Sequence, residues 1–362
     1  MPPSDNAQVT PLQQAIHDVM AAGHVPGMAV LIARGHRPVE QHWLGVDGAG
    51  NPVRPDSLFP VASATKLAVA LAILRLVDDD RLRLDDGLAQ HLPDAAAAVP
   101  GVTLRTLLCH TSGLPLDVSQ AAAPYAKGLD WPRLAEACRQ LPLSRPPNTQ
   151  VEYSNAGYGL LALIVEGTTG LPFAAALERL VFAPLGIEAY LGVEPPRAPL
   201  LLAGVRRPTA GTDIEVFNSA FYRSLALPWA GLLTTADGAL ALVRAFYDRG
   251  DAVLHPETRA EAVRNQTGEL DCRLFGLIPW QHCHWGLGPE LRDYKAPHWA
   301  PPEASAGSFG HAGQSGCLVW ADPRADVSWA LLGTRVADNG WLLRRAAAIG
   351  TAIIGDEGGG SR

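Results

Sequence analysis

Lysine, cysteine and long apolar runs are scarce in this chain of 362 residues. Lysine occurs only at Lys66, Lys127 and Lys295, so any motif that contains a lysine is informative. The five cysteines are odd in number and sparse, which favours a reducing compartment over a disulfide scaffold. No run approaches the ~18 uninterrupted apolar residues that span a bilayer, and the first residues lack the pattern of a secretory signal. We therefore expect a cytoplasmic protein without a membrane partner.

The charge balance excludes another class of partner. The formal net charge is -7, and binding to nucleic acid requires a basic face. The apolar fraction of 48% and the charged fraction of 18% are typical of a folded globular protein and exclude a disordered chain. At this length we expect two or three lobes of domain size.

The two ends of the chain share a pattern of short β-like runs beside a helix. Thr10 and Pro11 form a helix start, and Gly23 is the expected stop. Turn-forming residues separate the β-like runs within each pair, which predicts hairpins. The predicted strands are Met28–Ala33, Val39–Val46, Gly316–Ala321 and Val327–Gly333, and a last helix is expected from about Asp338 to Ile354.

Between these ends, residues 64–200 are richer in helical patterns and in proline-marked connections. The sequence thus predicts an α+β fold, with an antiparallel sheet flanked by helices. Residues 1–62 and 205–362 would build the sheet lobe, and residues 63–204 would form an inserted, mainly helical lobe. A cleft between the two lobes is the expected place for a ligand.

Ser63 and Lys66 form a Ser-x-x-Lys motif at the start of a segment that is apolar on every face. Such a helix is buried, so Lys66 would lie against the interior, on the same side of the helix as Ser63. Burial disfavours the charged form of a lysine, and a neutral amine can take the proton of a serine hydroxyl. The pair is therefore a candidate nucleophile and base. The alternative is an N-cap serine with a lysine that extends to solvent.

Two further segments carry candidate site residues. Tyr153 can relay a proton if a cation holds it near its anionic form, and Asn155 can present an amide to a substrate. In the second segment His311 enters a predicted strand, Gly313 permits close approach of a substrate, and the N–H of Gln314 can face an oxyanion. The alternatives are a packing tyrosine with an N-cap asparagine, and a chance His-x-Gly pair.

Taken together and in this order, these segments resemble the serine β-lactamase and penicillin-binding-protein-like superfamily. The most similar branch is that of class C β-lactamases with their carboxylesterase and D-aminopeptidase relatives. The resemblance extends over roughly Val25 to Gly350. It includes the nucleophile segment 58–66, the loop 84–94, the segment 103–115 with Cys109 where threonine is usual, and the segment 230–237.

The resemblance implies a role for each matching residue. Ser63 would be the acylated nucleophile, Lys66 the motif lysine and Tyr153 the tyrosine that shares proton transfer. His311 and Gly313 stand where β-lactamases have the lysine and glycine of a Lys-Thr-Gly triplet, and Asn155 matches the last residue of the second motif. The N–H groups of Ser63 and Gln314 would form the oxyanion hole, and no cofactor or metal is implied.

The activity expected from this resemblance is that of a serine hydrolase, a carboxylesterase or acyltransferase acting on small esters through an acyl-enzyme. A histidine at position 311 weakens the positive charge that binds a β-lactam carboxylate. The alternatives are a β-lactamase or a D-amino-acid peptidase or amidase, and a catalytically silent homologue that only binds.

Two further sets of residues, a histidine and cysteine cluster and three tryptophans, are candidates for other roles. His282, Cys283, His284 and Cys272 could suggest zinc, but the spacing of zinc-binding cysteines is absent. Trp280, Trp285 and Trp299 are expected to line the pocket of the acyl or alcohol group, with an ordinary core role as the alternative.

Overall fold

Both ends of the chain contribute strands to one antiparallel sheet. The computed structural model describes residues 9–35, 37–247, 253–274 and 278–356. The sheet has the order β2-β1-β11-β10-β9-β8, so the first and last strands are neighbours at its centre. Its strands are β1 (Gly27–Arg34), β2 (Glu40–Gly45), β8 (Glu290–Leu291), β9 (Phe309–Gly313), β10 (Cys317–Asp322) and β11 (Val327–Gly333).

Two smaller sheets lie outside this one. The first has the order β3-β5-β4, and its strand β3 comes shortly before the helix that carries Lys66. The second is the hairpin of β6 and β7. Their strands are β3 (Phe59–Pro60), β4 (Ala189–Tyr190), β5 (Leu233–Thr234), β6 (Cys272–Leu274) and β7 (Ile278–Trp280).

Helices flank the main sheet and fill much of the middle of the chain. A π-helical turn, Glu178–Phe182, joins α7 to α8, and a short 3-10 turn, Ala337–Asn339, precedes α12. The helices are α1 (Pro11–Gly23), α2 (Thr65–Asp78), α3 (Leu88–His91), α4 (Leu104–Leu108), α5 (Trp131–Arg139), α6 (Asn155–Thr169), α7 (Phe173–Leu177), α8 (Ala183–Leu185), α9 (Ala220–Ser224), α10 (Ala236–Arg244), α11 (Pro256–Ala262) and α12 (Trp341–Gly355).

These elements confirm the α+β class and the predicted hairpins, and the ends of the four predicted strands agree to within one residue. The start of α1 also agrees, since Thr10 forms a capping box with Gln13. The last helix begins at Trp341, later than expected, because Gly340 has a φ of 72°, which an α-helix cannot contain, and residues 337–339 form a separate 3-10 turn.

The sheet is buried on both faces, which explains why its central strands are apolar throughout. Alternate residues of β11 enter two different cores. Ala330 and Leu332 pack in the core that contains α2 and α6, whereas Trp329 and Leu331 pack in the core that contains α1 and α12. A strand with two buried faces has no polar side to mark its alternation.

Helix α2 is buried all round, as its sequence predicts. Every residue from Thr65 to Leu74 is buried, and Lys66 is among them. The expectation that Ser63 starts this helix needs a correction. Ser63 lies in a separate 3-10 turn, Ala62–Ala64, and α2 begins at Thr65. The backbone of Ala62 has a φ of 43°, which an α-helix cannot contain.

The division of the chain at residues 62/63 and 204/205 stays a prediction. Most of the helices between these positions pack together around α2 and α6. Helix α10, which follows in the sequence, contacts both β11 and α2.

Within the described ranges, no single helix has the length and apolar character needed to cross a bilayer. Helix α6 and the segment Phe173–Leu185 are long and apolar enough to span a bilayer only when they are taken together. The two parts meet at an angle of 77°.

The tight turn between β9 and β10 depends on Gly316. Its φ is +88°, and a Cβ at this position would lie 2.1 Å from the backbone oxygen of Arg335. Gly50 has the same φ of +88° but no atom within 4 Å of its would-be Cβ. Substitution of Gly50 therefore measures the free-energy cost of the backbone conformation alone, whereas substitution of Gly316 adds the cost of the steric clash.

We expect Gly316→Ala to lower the free energy of unfolding more than Gly50→Ala does. Both variants carry the left-handed conformation, which costs an L-residue about 1–2 kcal/mol. Only Gly316→Ala adds a clash with backbone, which costs about 1–3 kcal/mol more. Urea unfolding of the three proteins measures the difference, and equal losses in the two variants would contradict it.

Candidate active site

The turn that carries Ser63 is held from both sides by backbone pairing. Before the turn, β3 pairs with β5, and the N–H of Val61 donates to the oxygen of Leu232 at 3.0 Å. After the turn, the N–H of Leu232 donates to Oγ1 of Thr65 at 3.1 Å. These bonds hold Ala62 in the left-handed region, a conformation that alone is unfavourable for alanine. The position of the Ser63 hydroxyl is therefore set by the surrounding chain.

Lys66 is completely buried beside Ser63. Its Nζ lies 2.7 Å from Oδ1 of Asn155, 3.0 Å from the backbone oxygen of Trp229 and 3.4 Å from Oγ of Ser63. Burial lowers the pKa of Lys66 well below its usual value, although Asp117 opposes this shift. A neutral amine has two hydrogens and one lone pair. The oxygens of Asn155 and Trp229 can accept the two hydrogens, which leaves the lone pair for the Ser63 hydroxyl.

Tyr153 also contacts Ser63, through a hydrogen bond between the two side chains. The Tyr153 ring is buried, and its centroid lies 4.6 Å from Nζ of Lys66. Burial raises the pKa of Tyr153 well above its usual value, and the nearby carboxylates of Glu290 and Asp117 raise it further. The phenol is therefore protonated at neutral pH, and the group that can accept a proton from Ser63 is Lys66.

His110 packs against the ring of Tyr153, a contact that no pattern in the sequence marks. The two ring centroids are 4.5 Å apart. Nδ1 of His110 accepts a hydrogen bond from the N–H of Ser154 at 3.1 Å, and burial lowers the pKa of His110 well below its usual value. The segment 103–115 contains this histidine and contributes to the family resemblance. A single histidine in that segment does not indicate a contact with Tyr153.

The end of β9 lies directly against the Ser63 turn because residue 313 is glycine. A Cβ on Gly313 would lie 2.5 Å from the oxygen of Val61 and 3.3 Å from Cβ of Ala62. Sγ of Cys317 donates to the same oxygen of Val61 at 2.9 Å. Among the hydrogen bonds of the described chain, the N–H of Gln314 donates none. This N–H is therefore available beside Ser63.

His311 is a neutral hydrogen-bond acceptor in this structure. Burial lowers its pKa to about 4, and Lys66 and Glu290 have smaller, opposite effects. Its Nδ1 lies 2.7 Å from the backbone oxygen of Ala312, a partner that can only accept, so Nδ1 carries the proton. Nε2 therefore holds a lone pair. It is buried, and it has no hydrogen-bond partner in the part of the chain that the structure describes.

These side chains open into a cleft of about 1260 Å³. Ser63, Tyr153, Asn155, His311, Gly313 and Gln314 all line it, so the structure brings the sequence-predicted residues together, with Lys66 buried behind them. Trp285 and Trp299 line the cleft as expected. Trp280 does not belong to the lining, because it packs over Nζ of Lys295 and donates to the oxygen of Pro297.

The residues considered for zinc are engaged elsewhere. His282 and His284 contact Glu269, and Nδ1 of His284 also lies 3.1 Å from Asp293. Cys283 is buried against Cys272. The described ranges contain no group of three or more histidine, cysteine or acidic residues that could hold a metal.

Comparison with known proteins agrees with this geometry. The family profile described as Beta-lactamase matches residues 12–351. Esterase EstB of Burkholderia gladioli is 32% identical over 340 residues, covering 84% of this chain and 79% of the esterase. Penicillin-binding protein 4 of Amycolatopsis lactamdurans is 30% identical over 305 residues, covering 80% and 77%. A solved β-lactamase from Mycobacterium bovis has a TM-score of 0.66 at 27% identity, covering 94% of this chain and 98% of its own.

We expect His311 to remain neutral, with its proton on Nδ1, from pH 8 down to about pH 5. Since its folded pKa of about 4 lies below the unfolded value of about 6.5, the unfolded chain binds more protons between these values. The stability that neutral His311 contributes is therefore present above pH 6.5 and declines as the pH falls towards 4. Long-range nitrogen–proton NMR of the imidazoles, assigned with His311→Gln, measures the tautomer. Protonation with a midpoint at 6 or above would contradict this result.

Proposed function

Since the chain belongs to the Beta-lactamase family, we propose that this serine hydrolase is a carboxylesterase that cleaves small esters through an acyl-enzyme. The observation that carries the proposal is the position of Lys66. Its amine is buried, which lowers its pKa and favours the neutral form, and in that form two oxygens accept its hydrogens while its lone pair is left for the Ser63 hydroxyl at 3.4 Å. The similarity to an esterase supports the choice of substrate.

The first half of the reaction forms the acyl-enzyme. Oγ of Ser63 attacks the ester carbonyl, and its proton passes to Nζ of Lys66. The N–H groups of Ser63 and Gln314 hold the oxyanion, and one donor of this kind lowers the barrier by about 2.7–4 kcal/mol. Tyr153 keeps its proton in the resting enzyme and donates it to the departing alkoxide. Lys66, protonated by then, restores the proton of Tyr153.

The second half releases the acyl group. Water attacks the acyl carbonyl, and Lys66 accepts one of its protons. The bond to Oγ of Ser63 then breaks, Oγ takes this proton from Lys66, and the carboxylic acid leaves and loses its own proton to solvent. An alcohol in place of water would give acyl transfer instead of hydrolysis. The neutral Asn155 keeps Lys66 in place in both halves through its Oδ1.

His311 favours an ester over a β-lactam. A β-lactam carries a carboxylate, which needs a positive charge or a hydrogen-bond donor for recognition. Nε2 of His311 offers only a lone pair to the cleft. The alternative is cleavage of a β-lactam or of a D-amino-acid amide or peptide, and the similarity to penicillin-binding protein 4 favours it.

We also propose a cytoplasmic location. All five cysteines lie within the described chain as buried free thiols. This is the state expected in a reducing compartment.

The first test compares two substrates. We expect a p-nitrophenyl butyrate kcat/KM at least a hundredfold above that for nitrocefin, because no lysine or arginine lines the described cleft to bind the nitrocefin carboxylate. A fluorophosphonate probe should label the protein, and Ser63→Ala should abolish both the label and the turnover. A higher rate on nitrocefin would favour the β-lactamase alternative. Absence of an adduct on Ser63 would favour a homologue that only binds.

The second test concerns Lys66. We expect Lys66→Met to lower the kcat/KM for p-nitrophenyl butyrate by about a hundredfold to ten-thousandfold, since methionine fills the space without a basic amine. Lys127→Met is the matched control, because Lys127 lies at the surface in an ion pair with Asp213. Steady-state rates measure both variants. Unchanged turnover in Lys66→Met would show that another group is the base.

A further inference from the structure

The charged side chains that line the cleft are all acidic. They are Asp117, Asp213 and Glu290, and no lysine or arginine belongs to the lining in the ranges that the structure describes. The rest of the wall is mostly apolar and aromatic. A cleft with this balance repels an anionic ligand and attracts a cationic one.

Two of these carboxylates are already paired. Asp213 forms an ion pair with Lys127. Glu290 accepts a hydrogen bond from Nζ of Lys295 at 2.9 Å, and this partner lowers the pKa of Glu290 to about 2. Neither carboxylate therefore adds a full unbalanced charge to the cleft.

Asp117 differs from these two carboxylates. Burial raises its pKa, and the hydrogen bond from Asn155 and the charge of Lys66 oppose this shift. Its Oδ1 accepts a hydrogen bond from Nδ2 of Asn155 at 2.9 Å, and within the described chain it forms no ion pair. The amine of Lys66 lies on the other side of Asn155, and burial lowers its pKa, which disfavours the charge that could compensate Asp117. Asp117 is open to the cleft and only one side chain away from the lysine that contacts Ser63.

His311 gives a second, independent indication of the ligand. Its Nε2 is buried, has a lone pair and has no partner in the described chain. A buried acceptor without a donor is unfavourable, so a bound molecule that fits this site supplies a donor. Asp117 and His311 are thus acceptors that line the same cleft as the nucleophile.

We propose that the substrate carries a protonated amine, as in an amino ester, whose ammonium group binds Asp117 and whose N–H donors suit the acceptors of this cleft. The inference rests on the proposed esterase function and names the class of its substrate. Neutral esters would still react, but without this contact. Esters that carry a carboxylate would be excluded by Asp117.

The test uses pairs of esters in which a methyl group replaces the ammonium group. Alanine methyl ester is paired with methyl isobutyrate, and methyl 6-aminohexanoate with methyl heptanoate. Monomethyl pimelate supplies the anion. We expect kcat/KM, followed by pH-stat titration at neutral pH, to be at least tenfold higher for the amine in one or both pairs, and at least tenfold lower for the anion than for methyl heptanoate.

Two matched variants locate the effect. Asp117→Asn should bring the ratio of the rates for the amine and its neutral partner close to one. Asp213→Asn, the same change at a carboxylate already paired with Lys127, should leave the ratio as it is. The ratio is the readout because Asp117 also raises the pKa of Lys66, so its loss can change the rates of both esters. An equal loss for both esters in Asp117→Asn would show that Asp117 acts only through Lys66, and the inference would be wrong.

The outcome for the substrate class is separable from the outcome for the esterase function. Equal cleavage of amine and neutral ester would uphold the function and overturn the inference. If no ester is cleaved, the proposed function fails, and calorimetric titration of Ser63→Ala with the same pairs decides the inference. At least tenfold tighter binding of the amine supports it there, and equal binding of the two partners overturns it.

Discussion

The arrangement of the site depends on the removal of one lysine from water. An ammonium group inside a protein is costly unless an anion compensates it, so the Lys66 side chain loses its charge more readily than it does in solvent. The fold provides two oxygens for the remaining hydrogens of the amine, from Asn155 and from the backbone at Trp229. The lone pair of the amine is then left beside the Ser63 hydroxyl. The proposed chemistry follows from the contact between the amine and the hydroxyl.

This burial requires segments that are far apart in the sequence to meet around α2. The strand pair of β3 and β5 holds the turn before the helix, and the glycine at position 313 lets β9 approach the same turn. Tyr153 enters from the segment before α6, with His110 stacked behind it. Because every contact limits the position of Ser63, the left-handed backbone at Ala62 persists despite its cost.

The electrostatics of the cleft follow from the same burial. Burial lowers the pKa of Lys66 and of His311, so it disfavours a positive charge on either group near the nucleophile. Acceptors and one unpaired carboxylate, Asp117, face the substrate instead. The two ion pairs at Asp213 and Glu290 leave this carboxylate as the charge that a ligand meets. Selectivity therefore comes from the charge states that burial imposes.

The α+β class, the hairpins, the capped first helix and the buried character of α2 could all be predicted from the sequence, because periodicity, capping and turn residues act over a few neighbouring positions. The same holds for Ser63 and Lys66, which are one turn apart. The contacts of Lys66 with Trp229, of His110 with Tyr153 and of Asp117 with Asn155 join residues 35 or more positions apart, and no local pattern marks them. The charge state of His311 was likewise decided by tertiary structure, since a pKa depends on the solvent and dipoles that surround a group in space.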